Sequence, residues 1–419
     1  AGPSHAAAAS RATGSVLAGD GFYLRQFDLF RAVACICVVA QHSVLWPVPG
    51  GAPVGWGMVM VLHFTRNAFF FLSAFVAAYS QRTRPRRAGA LWYRRISQIL
   101  VPYLVWTAIY FAYTVANTSL TFGNAMSTLG TDLYKGYYQL YFVVVLLQFY
   151  VLLPGLLWLV RKTRGHHLAV LVGSFAFQIA MGICSHYLSS GPGTGVGGDL
   201  HQVASVLLQS RLIVGYQLFL IMGLLAADHV DQVQRLVARH WPKVLAGTAV
   251  VLAGTLGYYV YGLEAGQTPG RASDLYQPVA CVWFVAAIAG LYTLGWLWAG
   301  RASRPPGRVA DRAVTWGSDV SGGFYLSHVL VLQLVLMALT RSGFRNAVPW
   351  GAVSAVLFAG TVAGTAVLVS VLLRTPLRWV LTGPDRTAER AKLRWKPPPA
   401  GTRLPSPTST PVPSPAVTG

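Results

Sequence analysis

Ten stretches of this chain are apolar enough and long enough to cross a bilayer. They lie at about 27–47, 57–80, 97–117, 138–160, 167–187, 211–228, 243–262, 278–299, 319–340 and 350–373. A hydrocarbon core about 30 Å thick needs roughly 20 residues of helix for each crossing. The fifth and sixth runs are the weakest, being less apolar or shorter. Composition agrees with the runs: 54% of residues are hydrophobic and 11% charged, against about 25% charged in an average soluble domain. So few charges could not cover a soluble protein of this size. The expected fold is all-α, a polytopic membrane protein of about ten transmembrane helices. Disordered, fibrous and disulfide-stapled chains are excluded. Cys35, Cys37, Cys184 and Cys281 all fall inside apolar runs, and no zinc-ligand spacing occurs, so no metal is expected.

The net charge of +21 could signal nucleic acid in another chain. Here the basic residues cluster between apolar runs, the usual mark of cytoplasmic loops. With ten spans, 27 of the 33 Lys and Arg fall on the side of the termini and five on the other, with Arg66 inside a span. The positive-inside rule then places both termini in the cytoplasm, and the basic face should favour anionic lipids. No nucleic-acid partner is expected. Residues 1–20 lack the compact apolar core of a signal peptide, so the first span is expected to serve as the insertion signal. Three regions follow: a flexible cytoplasmic N-terminus at 1–22, a membrane domain at 23–380, and a tail at 381–419, first basic and then proline-rich. The tail holds eight of the 24 prolines beyond residue 395 and is expected to be disordered. No soluble catalytic domain remains, so any chemistry must occur in or at the membrane.

Ionisable residues inside spans cost several kcal/mol unless paired or hydrated, which marks them as functional candidates. The first span carries Asp28, Arg31 and His42 in FDLFRAVACICVVAQHS. At 100° per residue Arg31 and His42 share one helix face, about 16 Å apart along the axis. Asp28 is three residues before Arg31 and can pair with it. This places an arginine at the cytoplasmic end and an imidazole roughly mid-membrane. An interfacial arginine and a histidine bonded to a neighbouring carbonyl would read the same way. The second span carries His63 and Arg66, and the ninth carries Asp319 near its start and His328; structural roles fit these residues as well. The stretch RTRPRRAGALWYRRISQILVPY at 82–103 holds six arginines and no acid. It suits either a topology signal or a phosphate-binding mouth, for which the planar guanidinium fork is apt. Neither a GxxxxGK[ST] loop, a GxSxG elbow nor an HExxH motif is present.

Together these segments resemble the acyltransferase-3 family of bacterial membrane acyltransferases. That family opens on an Arg, ten residues and a His, often with an acid three before the Arg, and Asp28, Arg31 and His42 fit this position for position. FFFLSAF at 69–75 is similar to the family's FFxLSGF, with Ala74 in place of the glycine. WYRRISQILVPYLVW at 92–106, YYQLYFVVVLLQFYVLLP at 137–154 and FYLSHVLVL at 324–332 resemble later segments. The family often has Arg-x-x-Arg near the third helix; here Gln98 follows Arg95, and Arg94 can substitute. The segments look most like the branch that O-acetylates or O-succinylates exopolysaccharide.

The resemblance implies an integral enzyme of the bacterial plasma membrane. It would move an acyl group, acetyl or similar, from cytoplasmic acyl-CoA to a hydroxyl of a sugar or glycan on the extracytoplasmic side. Catalytic roles fall to His42, Asp28 and Arg66, and acyl-CoA binding to Arg31, Arg94 and Arg95. Ser73, Tyr141 and His328 are supporting candidates. The acceptor would enter past the loops at 118–136 and 188–210. Acyl-CoA is a donor substrate, no permanently bound cofactor is expected, and membrane lipids are the other partners. Two alternatives stay open: a transporter or flippase without chemistry, and an acyltransferase acting on a small natural product.

Overall fold

The computed structural model describes residues 24–83, 85–187, 202–203, 206–208, 211–301 and 309–383. The N-terminus 1–22, the glycine-rich loop 188–201 and the proline-rich tail lie outside the described residues. Twelve helices dominate: α1 Gln26–Leu45, α2 Pro53–Leu62, α3 Phe64–Thr83, α4 Ala88–Asn117, α5 Phe122–Lys135, α6 Tyr141–Lys162, α7 His167–Tyr187, α8 Gln217–Asp228, α9 Val230–Glu264, α10 Pro278–Arg301, α11 Val309–Arg341 and α12 Trp350–Leu372. Among the described residues there is no strand. The chain is an all-α, multi-pass membrane protein.

Nine helical segments among the described residues are long and apolar enough to cross a membrane. The sixth expected span, 211–228, is shorter. It forms a short 3-10 turn, Ile213–Tyr216, followed by the 12-residue α8. Twelve residues rise only about 18 Å, yet α8 is deeply packed, with Leu218, Phe219, Leu220, Leu224 and Ala227 all buried.

Other boundaries move for local reasons. The second expected span is two helices. Pro53 opens α2 at a first-turn position, where its missing N–H costs nothing. The chain then breaks at His63, whose N–H bonds the carbonyls of both Val59 (3.1 Å) and Met60 (3.4 Å). The expected outer loop at 118–136 is largely α5, capped by the Thr121 side chain and closed by Gly136 at φ 79°. Helix α11 starts at Val309, so Asp319 lies well inside it rather than near its start. Helix α9 kinks at His240 (φ −127°) because Pro242 cannot supply an N–H to the ladder.

Burial from lipid supplies no hydrophobic driving force, so close packing decides helix association. The tightest pair is α3 against α8. A β-carbon on Gly223 would run into the Phe71 carbonyl and come within 2.9 Å of the Ala74 methyl. Gly295 of α10 sits equally close to the Gln26 carbonyl of α1. Aromatic rings fill the centre: Phe27 lies 4.6 Å from Phe75, and Phe70 lies 4.4 Å from both Phe142 and Tyr216. Helix α1 occupies the middle, touching α2, α3, α10, α11 and α12. Much of its surface therefore faces the inside of the bundle.

Candidate active site

Helix α1 displays polar groups at both ends. At the Arg31 end five helices enclose a small cavity of about 110 Å³. Its polar lining is Arg31 of α1, Ser73 of α3, Arg95 of α4, Tyr150 of α6 and Ser321 of α11. The Arg95 guanidinium lies 5.9 Å from the centre of the Tyr150 ring, a cation–π contact that holds it beside the cavity. Arg31 and Arg95, 64 positions apart in sequence, thus converge on one cavity. Arg94 is half-buried and is not among the lining residues. Nearby, Asp28 is 1% exposed and accepts a hydrogen bond from Ser318 Oγ at 2.8 Å.

At the other end His42 lies in the last turn of α1. The helix stops at Leu45, two residues ahead of Pro47, where the expected span ran on to 47. The His42 ring stacks on that of His328 from α11, with centroids 5.4 Å apart and planes at 20°. Nδ1 of His328 lies 2.8 Å from the Tyr325 carbonyl and 3.1 Å from that of Phe324. Carbonyl oxygens only accept, so Nδ1 carries the proton and Nε2 holds a lone pair. That Nε2 is buried with no hydrogen-bond partner. His328 is fully buried, whereas His42 is only half-buried and is the more accessible ring of the pair.

A third group completes this end. Tyr138 Oη lies 3.4 Å from His42 Nδ1 and accepts from Trp46 Nε1–H at 2.9 Å. Tyr138 is the one non-glycine residue with positive φ (28°) among the described residues. Such backbone strain persists only where the surroundings over-determine it. They do so here: Tyr325 Oη donates to the Gln139 carbonyl, and Gln139 Nε2 donates to Tyr110 Oη at 2.6 Å. Tyr110 Oη in turn donates to the Leu326 carbonyl at 2.8 Å. The turn at 138–140 is thereby fastened to α11 one turn before His328.

Between the two ends His63, at the α2–α3 break, joins Arg66 and Ser73 of α3 in a polar row, since positions 63, 66 and 73 fall near one helix face. His63 receives a hydrogen bond from Gln41 Nε2 at 3.4 Å, and its Nδ1 faces the Val59 carbonyl at 3.2 Å. Arg66 donates to Tyr141 Oη at 3.5 Å and lies 4.9 Å from the centre of the Tyr216 ring. Its Nε is buried without a hydrogen-bond partner, and no carboxylate pairs with it among the described residues. The row links the Arg31 cavity to the histidine pair.

The chain matches the acyltransferase domain family over residues 24–374, most of its length. It belongs to that family. No curated protein and no solved structure matches the chain.

For this family member two groupings expected from sequence separate in space. Asp28 and His42, both assigned to catalysis, stand fourteen residues apart on one continuous helix, about 21 Å along its axis. Asp28 therefore belongs to the cavity end. Arg66 bonds Tyr141 and faces the Tyr216 ring, while His63, on the His42 side, bonds Gln41. Conversely, Ser73, Tyr141 and His328 all enter the polar interior. Sequence reasoning passed over Tyr138, Gln139 and Tyr110. The available signal was Gly136 directly before the aromatic run YYQLY: a glycine turn feeding polar aromatics into a membrane span.

Proposed function

We propose that this acyltransferase moves an acyl group, acetyl or similar, from cytoplasmic acyl-CoA to a hydroxyl of a sugar or glycan beyond a bacterial plasma membrane. The observation that carries the reading is α1 itself. One rigid helix presents Arg31 in a polar cavity at one end and His42 in an imidazole pair at the other. Coenzyme A fits this polarity. Its phosphates suit the Arg31 and Arg95 guanidiniums, with Arg94 beside the mouth, and its extended pantetheine arm can run along the polar row. The excess of basic residues on the side of the termini supports a cytoplasmic donor face.

In this mechanism His42 is the general base. When His42 Nδ1–H donates to the Tyr138 oxygen, Nε2 carries the lone pair that removes the acceptor's hydroxyl proton. The hydroxyl oxygen attacks the thioester carbon and the C–S bond breaks. The proton held by His42 passes to the departing thiolate, leaving free coenzyme A and an ester. Arg66 supplies positive charge to the carbonyl oxygen as it gains negative charge. His328 keeps the His42 ring in register by stacking, and Asp28 holds α11 against the donor end through Ser318. Family membership favours this chemistry over transport alone.

The test is acyl transfer from labelled acetyl-CoA by the protein in proteoliposomes, joined to mass analysis of surface glycans with and without the gene. Loss of an ester-linked group from a glycan supports the polymer acceptor. Unchanged glycans with a modified small molecule would redirect the assignment.

A further inference from the structure

Helices α6, α7, α8 and α9 meet around three side chains that acyl transfer does not use. They lie beside the end of α6, which carries Arg161 and Lys162, and the turn that carries Arg164. His167 opens α7, Asp228 closes α8, and His229 joins α8 to α9. His167 Nδ1 lies 2.7 Å from His229 Nε2 and 4.0 Å from Asp228 Oδ2. One donor atom from each of the three residues lies within 4.8 Å of the others. The cluster is sheltered, with the His167 side chain 10% and Asp228 32% exposed.

The orientation of His167 gives the cluster its chemistry. Its Nε2 lies 2.7 Å from the Val160 carbonyl, which can only accept, so the proton is on Nε2. Nδ1 therefore turns a lone pair towards His229 and Asp228. An imidazole whose far nitrogen is tied to a backbone carbonyl is arranged as metal-ligating histidines are.

We propose that His167, His229 and Asp228 bind a divalent first-row transition ion of the zinc class. Two imidazoles and one carboxylate suit Zn²⁺, Co²⁺ or Ni²⁺; Ca²⁺ and Mg²⁺ prefer all-oxygen sites. Tetrahedral zinc with bonds of about 2.0–2.1 Å sets its ligand nitrogens about 3.3 Å apart. The two rings must therefore part by about 0.6 Å. The ion takes the place of the proton shared between them, which leaves to solvent as it binds. Its fourth position remains for water. Motif spacing hides such a site, because one ligand comes from the start of α7 and two from the α8–α9 corner.

The consequence is mechanical. Arg82 of α3 already grips this corner, donating to the Asp228 carbonyl at 2.9 Å and pairing with Asp231 at 3.2 Å. A bound ion would fix α7 to the same corner and stiffen the support of α3, which carries Arg66 and Ser73.

The test uses purified, tag-free protein in detergent, titrated with Co²⁺ and followed by visible absorption, with melting temperature measured with and without Zn²⁺. We expect one equivalent of Co²⁺ with d–d bands and a zinc-dependent rise in melting temperature. His167→Gln and Asp228→Asn should each weaken binding at least about tenfold, while His166→Gln, at the exposed neighbouring position, should not. If either variant fails to fold, the wild-type protein in zinc against excess chelator gives the melting comparison. Absent stoichiometric Co²⁺ absorption, undiminished binding in the variants, or a melting temperature indifferent to zinc would each overturn the site.

Discussion

His42 and His328 stack face to face at 5.4 Å, and only one of them has its tautomer dictated by backbone. His328 is pinned by the carbonyls of Tyr325 and Phe324, whereas His42 meets a phenol that can either donate or accept. In the proposed mechanism that asymmetry gives proton transfer to His42 and positioning to His328. His328→Gln should lower turnover about tenfold or more while leaving KM for the acyl donor unchanged. Steady-state kinetics separate the two parameters, and a matching rise in donor KM would move His328 to the donor site.

Tyr138→Phe keeps the ring stack but removes the hydroxyl that joins Trp46 to His42. One lost hydrogen bond of about 0.5–1.5 kcal/mol corresponds to a rate reduced roughly threefold to tenfold. The pH profile should also shift, because the phenol no longer steers the His42 tautomer. An unchanged rate and profile would show that Tyr138 only packs.

Arg31→Ala should weaken acyl-CoA binding at least about tenfold, since charged hydrogen bonds contribute about 1.5–3 kcal/mol each. Arg31→Lys should restore only part of it, because lysine lacks the fork. Arg95→Ala should behave like Arg31→Ala, and Arg94→Ala should have the smaller effect, as Arg94 does not line the cavity. A donor-binding titration ranks the three.

Orientation can be read chemically. A cysteine in place of Asn346, exposed between α11 and α12, should react with an impermeant thiol reagent applied outside cells. One in place of Arg164, exposed between α6 and α7, should not. The reverse pattern would invert the membrane and the direction of acyl transfer.

Gly223→Ala should destabilise the fold by about 1–3 kcal/mol, the usual range for overpacking, because α8 approaches α3 through that glycine. A lowered melting temperature with the donor Kd unchanged is the expected signature.

Nine of the ten spans were legible because hydrophobicity and length are properties of local sequence. The sixth differs in form: its apolar run is real, but it folds as a 3-10 turn and the short α8, packed closely against α3. Arg31, Ser73 and Arg95 were recognisable from family segments, and the structure brings them to one cavity. Tyr138 was not, because its role depends on a positive-φ turn fastened by Tyr325 and Gln139, contacts between residues almost two hundred positions apart. Asp28 was grouped with His42 because both carry the family signature. Helix rise alone separates them, by about 21 Å along α1.

The central claim is that His42 takes the acceptor proton. It is tested most directly by acyl transfer from labelled acetyl-CoA in proteoliposomes containing equal amounts of wild-type and His42→Ala protein, each checked for folding by its melting temperature. Turnover should fall at least about a hundredfold while donor binding at the Arg31 cavity persists. Near-normal turnover in the folded variant would contradict it.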